Sequence, residues 1–424
     1  MSLDEQSFEA LAHQTVAGRE VCLRIGVDMG GSDVKFGVTN LDADLILLPE
    51  LVKLPSLSQE GPQKSISQII AGIEAVLAAL GAAWTEVADV AVTVPCPCSS
   101  EGVILAATNL GTPETKHLWE LPFGELLAET IHGKAGCAIP VFACNDANAA
   151  AQDDDFIRYG LNTDPRTSVF ITTGTGLGGC VIANGTVFYG SGQAGELGHL
   201  KIAVPAAYAN RFSADPNPEC GCGGYQCVET RASLTGLIRR INWALSESGI
   251  ALIREVLVSA GKQVNPEVVA KLQELYSVAP KRAAYEVRTF ADTQQDPFCR
   301  WLLEDWAIMI GALFASISPV LHPNLFIIGG GLTEMSDEAR AWFLEVVQRA
   351  YDTTNAQRCF ESRRSSRIGA SRRVASRIGT NGEGPCGKAP SARPSGNCEI
   401  VWSESADQGW RGAILMGMRA KKAR

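Results

Sequence analysis

The sequence predicts an α/β protein built from two similar domains that face each other across a ligand cleft. A strand, a glycine turn and a second strand occur in that order twice, at residues 22–38 and 167–182. Each copy opens a region in which strand and helix patterns alternate, as in α/β folds. The length of 424 residues exceeds what one hydrophobic core usually serves. Two domains of similar construction account for both observations.

Composition excludes several other classes of protein. Hydrophobic residues make up 46% of the chain and charged residues 20%, and no apolar run approaches the ~20 residues that span a bilayer. Residues 1–20 lack the apolar core of a secretory signal. The net charge of -9 argues against an extended nucleic-acid surface. Thirteen scattered cysteines, an odd number, predict a reducing cytoplasm rather than a disulfide framework.

The first glycine turn follows the strand pattern at residues 22–27 and reads Asp28-Met29-Gly30-Gly31-Ser32. Gly30 and Gly31 let a ligand approach the backbone, and the exposed amides of such a turn favour an anion. Asp28 suits a metal bound through water, and Lys35 on the second strand adds positive charge. A tight turn with a purely structural role is the alternative.

The run at residues 139–143 predicts a buried parallel strand, and a helix pattern begins directly after Asn145 and Asp146. Open α/β sheets bind ligands at the carboxyl ends of their strands, so Asp146 is a candidate site residue. The alternative is an aspartate that caps its own helix. Asn109, in an earlier loop, suits either a substrate contact or a turn. The acidic run at 153–155 predicts a surface connection.

Further elements of the first half are a helix over residues 66–80, a strand over 88–94 and a helix from about 123 to 131. In the second half, residues 231–320 are predicted to be mostly helical, with an apolar helix over 301–317 that ends near Pro319. The second glycine turn contains Gly174, Thr175 and Gly176. A third, at Gly329, Gly330 and Gly331 after a strand pattern, suits a nucleoside lying against the backbone or simply reverses the chain.

A cysteine motif carries the strongest chemical signal. Glu196-Leu197-Gly198-His199 is followed, after a spacer, by Cys220-x-Cys222-x4-Cys227-x-Glu229. Three thiolates and one imidazole suit tetrahedral zinc, whereas buried free cysteines are the alternative. Such a site is closed, because four protein ligands leave no open position, and it would fix the loop that carries Glu196 and Glu229.

Residues 362–398 interrupt this pattern with eight Lys or Arg against one Glu, and they repeat Ser-Arg-Ile-Gly at 366–369 and 376–379. Such a composition predicts a flexible low-complexity insertion, with a nucleic-acid-binding arm as the alternative. A strand pattern at 399–402 and a helix pattern at 406–419 complete the chain.

Taken together, these motifs resemble the ROK family of repressors, open reading frames and sugar kinases, over about residues 22–361 and 399–420. The resemblance implies two actin-like, ribonuclease-H-like domains with the active site in the cleft between them. The small domain would comprise residues 1–143 and 408–424. The large domain would comprise residues 144–407 and include the zinc loop, 199–229.

The resemblance also implies an activity, which is the ATP-dependent phosphorylation of a hexose at its 6-hydroxyl. Glucose is the expected substrate, with N-acetylglucosamine, N-acetylmannosamine, mannose or fructose as alternatives. Asp146 would be the base, and sugar hydroxyls would be held by Asn109, Asn145, Glu196, His199 and Glu229. His199 would also bind structural Zn²⁺ with Cys220, Cys222 and Cys227. The glycine turns would bind the phosphates of ATP together with Mg²⁺.

A sugar-responsive transcriptional regulator is the alternative of another class. Only about 21 residues precede the first strand pattern, too few for a three-helix DNA-binding domain, so none is expected. The expected assembly is a homodimer, without a membrane partner.

Overall fold

A computed structural model describes residues 14–16, 19–48, 50–107, 109–160, 165–213, 218–355, 398–405 and 409–423. Apart from Cys398, the predicted insertion at 362–398 lies outside the described residues, so that prediction is not tested. The first three residues of the predicted final helix, 406–408, also lie outside them.

Two five-stranded mixed sheets form the scaffold and share one strand order. In each, the first three strands run antiparallel to their neighbours, and the last two join in parallel on the other side of the first strand. The first sheet contains Leu23–Met29, Asp33–Thr39, Val52–Pro55, Val87–Val94 and Val141–Asn145. The second contains Thr167–Thr173, Leu177–Ala183, Thr186–Val187, Leu325–Gly330 and Glu399–Trp402. The predicted repetition of one α/β unit is confirmed.

Each half has its own hydrophobic core. The helices of the first half are Pro62–Leu80 and Phe123–Ala135. Those of the second half are Ala209–Phe212, Leu234–Ala244, Glu247–Ser259, Pro266–Val278, Pro280–Thr293, Pro297–Leu321 and Asp337–Thr354. A short strand pair, Gln14–Val16 and Arg19–Val21, precedes the first sheet. The mostly helical character predicted for residues 231–320 is therefore confirmed.

The apolar helix of the second half is longer than predicted and spans Pro297–Leu321. Asp296 caps it by accepting a hydrogen bond from the Cys299 amide at 2.9 Å, and Pro319 lies within its last turns instead of ending it. By length and mean hydropathy, 1.3, this helix is suited to cross a membrane. However, 89% of its most apolar 18-residue stretch is buried inside the protein, as expected of a core helix.

The C-terminal helix, Gly409–Ala423, packs on the first sheet. Gly26 and Gly37 make room for Trp410, because a Cβ at either glycine would lie 2.3 Å from an atom of that tryptophan. The end of the chain thus contacts the half in which it began. The first sheet itself extends to Asn145.

The helix Asp146–Tyr159 contacts strands of both sheets. The prediction that residues 153–155 form a surface connection is wrong, because all three aspartates are at most 2% exposed. Their carboxylates are buried with arginine partners, namely Arg411, Arg158 and Arg166 in that order. Pairing with arginines, on the same helix and on other segments, allows an acidic run to lie in the interior, and composition alone does not indicate it.

Candidate active site

Asp146 and Asn145 lie where the last strand of the first sheet becomes a helix. Asn145 is the N-cap, and its Oδ1 accepts a hydrogen bond from the Asn148 amide at 3.1 Å. Its Nδ2 donates to the Cys96 carbonyl at 3.2 Å and to Asp146 Oδ1 at 3.0 Å. The Ala147 amide donates to the same Asp146 oxygen at 2.8 Å. Because Asn145 caps the helix, the interpretation of Asp146 as the cap is wrong. The carboxylate of Asp146 is half-buried and lies at the carboxyl end of the first sheet.

Asp28 lies at the same end of the first sheet, on its central strand. The hydroxyl of Thr93, on the adjacent parallel strand, donates to Asp28 Oδ1 at 2.7 Å. Lys35, its cross-strand partner, places Nζ 3.8 Å from Asp28 Oδ2. Thr93 was not predicted, although a polar residue near the end of a mostly apolar strand is a recognisable signal.

The first glycine turn is held from outside by two serines. The Gly31 carbonyl accepts hydrogen bonds from Ser56 Oγ at 2.8 Å and Ser58 Oγ at 2.6 Å, and the Ser32 carbonyl accepts one from the Ser56 amide at 2.8 Å. The Gly30 amide closes the turn by donating to the Asp33 carbonyl at 2.8 Å. Nothing in the local sequence predicted the serines.

Asn109 is exposed on a loop beside this turn. Its Nδ2 donates to the Pro95 carbonyl at 3.1 Å. A Cβ on Gly31 would lie 3.4 Å from the Asn109 carbonyl. The fold thus brings Asn109 to the first turn.

The second glycine turn borders a pocket. Its Gly174 and Thr175 line the pocket together with Gly331, while the wall is formed by Leu234, Leu237, Ala284, Tyr285, Leu303, Trp306 and Leu332. The Leu234 amide donates to the Gly174 carbonyl at 3.0 Å, which attaches the turn to the following helix. Arg288 lies at the pocket and donates to the Gly331 carbonyl.

The third glycine segment differs from its prediction, since the strand continues through Gly329 and Gly330. A Cβ on Gly330 would lie 2.3 Å from the Thr173 carbonyl, and its φ of 83° also favours glycine. Gly329 and Gly330 therefore allow close packing of the strands. Of the three glycines, Gly331 lines the pocket.

The predicted metal ligands lie together. The candidate ligand atoms of His199, Cys220, Cys222 and Cys227 are all within 4.8 Å of one another. Cys222 Sγ lies 3.7 Å from Cys227 Sγ, and Cys220 Sγ lies 3.7 Å from His199 Nδ1. Zn–S bonds of about 2.3 Å in a tetrahedron imply S···S separations of about 3.8 Å, so the spacing fits zinc.

Glu229 connects this cluster to the second glycine turn. Its Oε2 accepts a hydrogen bond from the Leu177 amide at 2.8 Å, and its Oε1 accepts one from Cys220 Sγ at 3.4 Å. A Cβ on Gly176 would lie 2.3 Å from Glu229 Oε2, so Gly176 makes room for the carboxylate. The absence of a side chain at Gly176 therefore allows Glu229 to bind beside the turn.

Glu196 and Asp146 lie near one buried thiol, that of Cys96. Burial raises the pKa of Cys96 well above its usual range, and its neighbours Cys98, Asp146 and Glu196 add to this effect. Burial likewise raises the pKa of Glu196, against the opposing effect of His199. Glu196, from the second half, is thus close enough to Cys96 for its charge to act on that thiol, as Asp146 does.

Two halves with matching five-stranded sheets give the chain a two-domain, actin-like (ribonuclease-H-like) α/β fold. The chain belongs to the ROK family, whose model matches residues 24–370.

Curated relatives include kinases for two different sugars. A glucokinase of Halalkalibacterium halodurans is 25% identical over 316 residues, which cover 74% of this chain and 81% of that protein. An N-acetylmannosamine kinase of Citrobacter koseri is 28% identical over 278 residues, which cover 64% of this chain and 80% of that protein.

Solved structures share the fold at lower identity. A ROK family glucokinase from Streptomyces griseus, in complex with glucose and AMPPNP, has a TM-score of 0.58 at 21% identity, covering 92% of this chain and 98% of that chain. A ROK family transcriptional regulator, a homolog of the E. coli MLC protein, has a TM-score of 0.62 at 18% identity, and the match covers 94% of this chain and 78% of that chain. The fold is therefore common to kinases and regulators.

Proposed function

We propose that this protein is a sugar kinase that transfers a phosphoryl group from ATP to the 6-hydroxyl of a hexose, with glucose as the expected substrate. The observation that carries the proposal is the environment of Asp146. Its carboxylate is half-buried at the carboxyl end of the first sheet, and Asn145 relieves it of the capping role. A carboxylate held in this way is suited to accept a proton from a sugar hydroxyl.

The hexose would lie between Asp146 and the loop that precedes the metal cluster. Asn145, Glu196, His199 and Glu229 would hydrogen-bond its hydroxyls, with Asn109 at the edge of the site. Buried polar groups discriminate between sugars, because a missing hydroxyl leaves one of them unpaired at a cost of about 1–3 kcal/mol.

The nucleoside of ATP would occupy the pocket lined by Gly174, Thr175 and Gly331, whose largely apolar wall suits a base. The phosphates would extend toward the first turn at residues 30–32, where backbone amides and Lys35 favour an anion. Mg²⁺ supplies charge neutralisation on the transferring phosphoryl when it is bound, and Asp28 would hold it through water.

The metal cluster would hold one zinc ion in a structural role. Four protein ligands leave no open position for catalysis. The ion would fix Glu229, which follows Cys227 by two residues and binds the second glycine turn.

We also propose the domain boundaries given above, with the first domain extended to Asn145, and a homodimeric assembly. The eleven described cysteines are all free, which supports a reducing cytoplasm.

The proposal is tested by incubating the full chain with ATP and Mg²⁺ and each of five sugars, glucose, mannose, fructose, N-acetylglucosamine and N-acetylmannosamine. ADP release with one or more of them is expected, with the highest kcat/KM for glucose. Preference for an N-acetylated sugar would move the assignment to the alternative kinase. Absence of turnover with all five, together with sugar binding in calorimetry, would favour a regulator, the function named for one solved relative.

A further inference from the structure

The two oxygens of the Asp28 carboxylate have different surroundings. Oδ1 accepts a hydrogen bond from the hydroxyl of Thr93 at 2.7 Å. Within the described part of the chain, Oδ2 accepts no hydrogen bond, and Lys35 Nζ lies 3.8 Å from it, which is beyond hydrogen-bond distance. The side chain of Asp28 is 20% exposed. The carboxylate is therefore bound to the protein through one oxygen, and the other remains available to a ligand.

Thr93 is held in place by the interior of the first sheet. It lies on the strand Val87–Val94, in which every residue is buried, and it is itself 0% exposed. The parallel register pairs Thr93 with Asp28 on one side and with Cys144 on the other. A buried hydroxyl needs a hydrogen-bond partner, because leaving it unpaired is destabilising. Asp28 Oδ1 is that partner, so the hydroxyl loses its hydrogen bond if the carboxylate turns away.

The C-terminal helix approaches the same carboxylate from another direction. Trp410 packs against Gly26 and Gly37, because a Cβ at either glycine would lie 2.3 Å from an atom of that tryptophan. Its neighbour Gly409 consequently lies beside Asp28, where a Cβ on Gly409 would be 3.0 Å from Oδ1 and 3.7 Å from Oδ2. The start of the helix is thus closer to the hydrogen-bonded oxygen, and it leaves that oxygen little room to move.

We propose that Thr93 is a positioning residue, which commits Asp28 Oδ1 to the protein and leaves Oδ2 as the oxygen that holds hydrated Mg²⁺. The inference rests on the proposed kinase function, in which Asp28 holds this ion through water. Mg²⁺ gives up its water molecules reluctantly, whereas Ca²⁺ readily binds both oxygens of one carboxylate. A carboxylate with one oxygen committed to Thr93 therefore suits Mg²⁺ better than Ca²⁺.

The test uses Thr93→Val, which keeps the branched shape of the side chain and removes the hydroxyl. Thr93→Ser keeps the hydroxyl and serves as the conservative variant. Thr39→Val is the matched control, because Thr39 is also 0% exposed and its hydroxyl donates to the Asn40 carbonyl at 2.9 Å. Thr39 lies at the end of the strand Asp33–Thr39 that is remote from the first glycine turn. If Thr93→Val does not fold, Thr93→Ala, which also lacks the hydroxyl, replaces it with the same expectations.

Metal binding is measured without turnover. Mn²⁺ replaces Mg²⁺ as a probe, and electron paramagnetic resonance gives its dissociation constant in the presence of ADP. We expect Thr93→Val to raise this constant by about tenfold or more, because removing a group that orients a metal-binding residue weakens metal affinity to this extent. Thr93→Ser and Thr39→Val should remain close to wild type. A wild-type constant in folded Thr93→Val overturns the proposal.

Competition of Mg²⁺ and of Ca²⁺ against Mn²⁺ separates positioning from a general loss of order. With Oδ1 released, Asp28 can offer both oxygens, so Ca²⁺ should lose less affinity than Mg²⁺. The ratio of the Ca²⁺ to the Mg²⁺ dissociation constant should therefore fall in Thr93→Val and return to the wild-type ratio in Thr93→Ser. A loosened site would weaken the binding of both ions by the same factor. Equal weakening would thus show a purely structural role and overturn positioning.

Failure of the proposed function gives a different result. If wild-type protein turns over none of the sugars, the kinase assignment fails, while the Mn²⁺ measurements on Thr93→Val still decide on positioning. Wild-type protein that phosphorylates a sugar but binds no Mn²⁺ with ADP would overturn the role of Thr93 and leave the kinase assignment intact. Absence of both turnover and Mn²⁺ binding would overturn both.

Discussion

The two halves share strand order and direction, yet they hold their glycine turns in different ways. In the first half, Ser56 and Ser58 bind the carbonyl of Gly31. In the second half, Glu229 at the end of the zinc loop accepts a hydrogen bond from the Leu177 amide, and Leu234, the first residue of the helix Leu234–Ala244, donates its amide to the Gly174 carbonyl. The first turn is thus fixed by serines that directly follow a strand of the same sheet. The second depends on a loop and a helix that have no counterpart among the described residues of the first half.

This difference suggests a division of roles under the proposed function. Asn145 and Asp28 lie at one end of the first sheet and Asp146 follows it directly, and these are the groups suited to proton transfer and charge balance. The second half carries the nucleoside pocket and the metal cluster, which are binding features. Substitutions in the first half should therefore act mainly on kcat, and those in the second half on stability or on KM.

The largest effect is expected for Asp146→Asn, which keeps the shape of the side chain and removes the base. We expect kcat to fall by about 10²-fold or more while calorimetry shows hexose binding largely retained. Asp44→Asn, an exposed aspartate in the same half, serves as the control and should leave both unchanged. Near wild-type kcat in Asp146→Asn would show that proton transfer does not depend on this residue.

A second prediction concerns the metal loop and should separate stability from chemistry. Elemental analysis is expected to find about one zinc per chain, and Cys222→Ser should lose it. Because zinc would hold Glu229, the melting temperature should fall by on the order of 5 °C or more. Cys137→Ser, a half-buried cysteine outside the cluster, should keep both the zinc and the melting temperature. Wild-type protein that is fully active without zinc would contradict the site.

These features differ in how far the sequence predicted them. The metal ligands Cys220, Cys222 and Cys227 follow each other closely in the chain, so their spacing alone indicated a metal. The repetition of one α/β unit was predicted from two local hairpin motifs, each of which is complete within about twenty residues. Local patterns with a fixed geometry were thus sufficient for the fold class and for the cluster.

Contacts between distant segments were not predictable in this way. Asp154 was predicted to lie at the surface because its neighbours are also acidic, yet it binds residues about 250 positions later in the chain. Ser58, which holds the first turn, lies 27 residues from Gly31 and belongs to no motif. Whether a polar residue is buried depends on which partner the fold delivers, and the local sequence does not contain that information.

The smallest effect is expected for Tyr285→Ala, in the wall of the pocket beside the second turn. The ring is 44% exposed, so it would cover one side of a bound base without enclosing it. An aromatic contact of this kind contributes about 0.5–1.5 kcal/mol, so KM for ATP should rise by about two- to tenfold. The hexose would bind outside this pocket, and its KM should stay unchanged.

Phe188→Ala removes an aromatic ring that is 51% exposed and outside the pocket, so it should change neither KM. Steady-state kinetics with each substrate varied in turn measures both quantities. An increase in KM for the hexose alone would place the sugar, not the nucleoside, beside the second turn and reverse the roles assigned to the two halves.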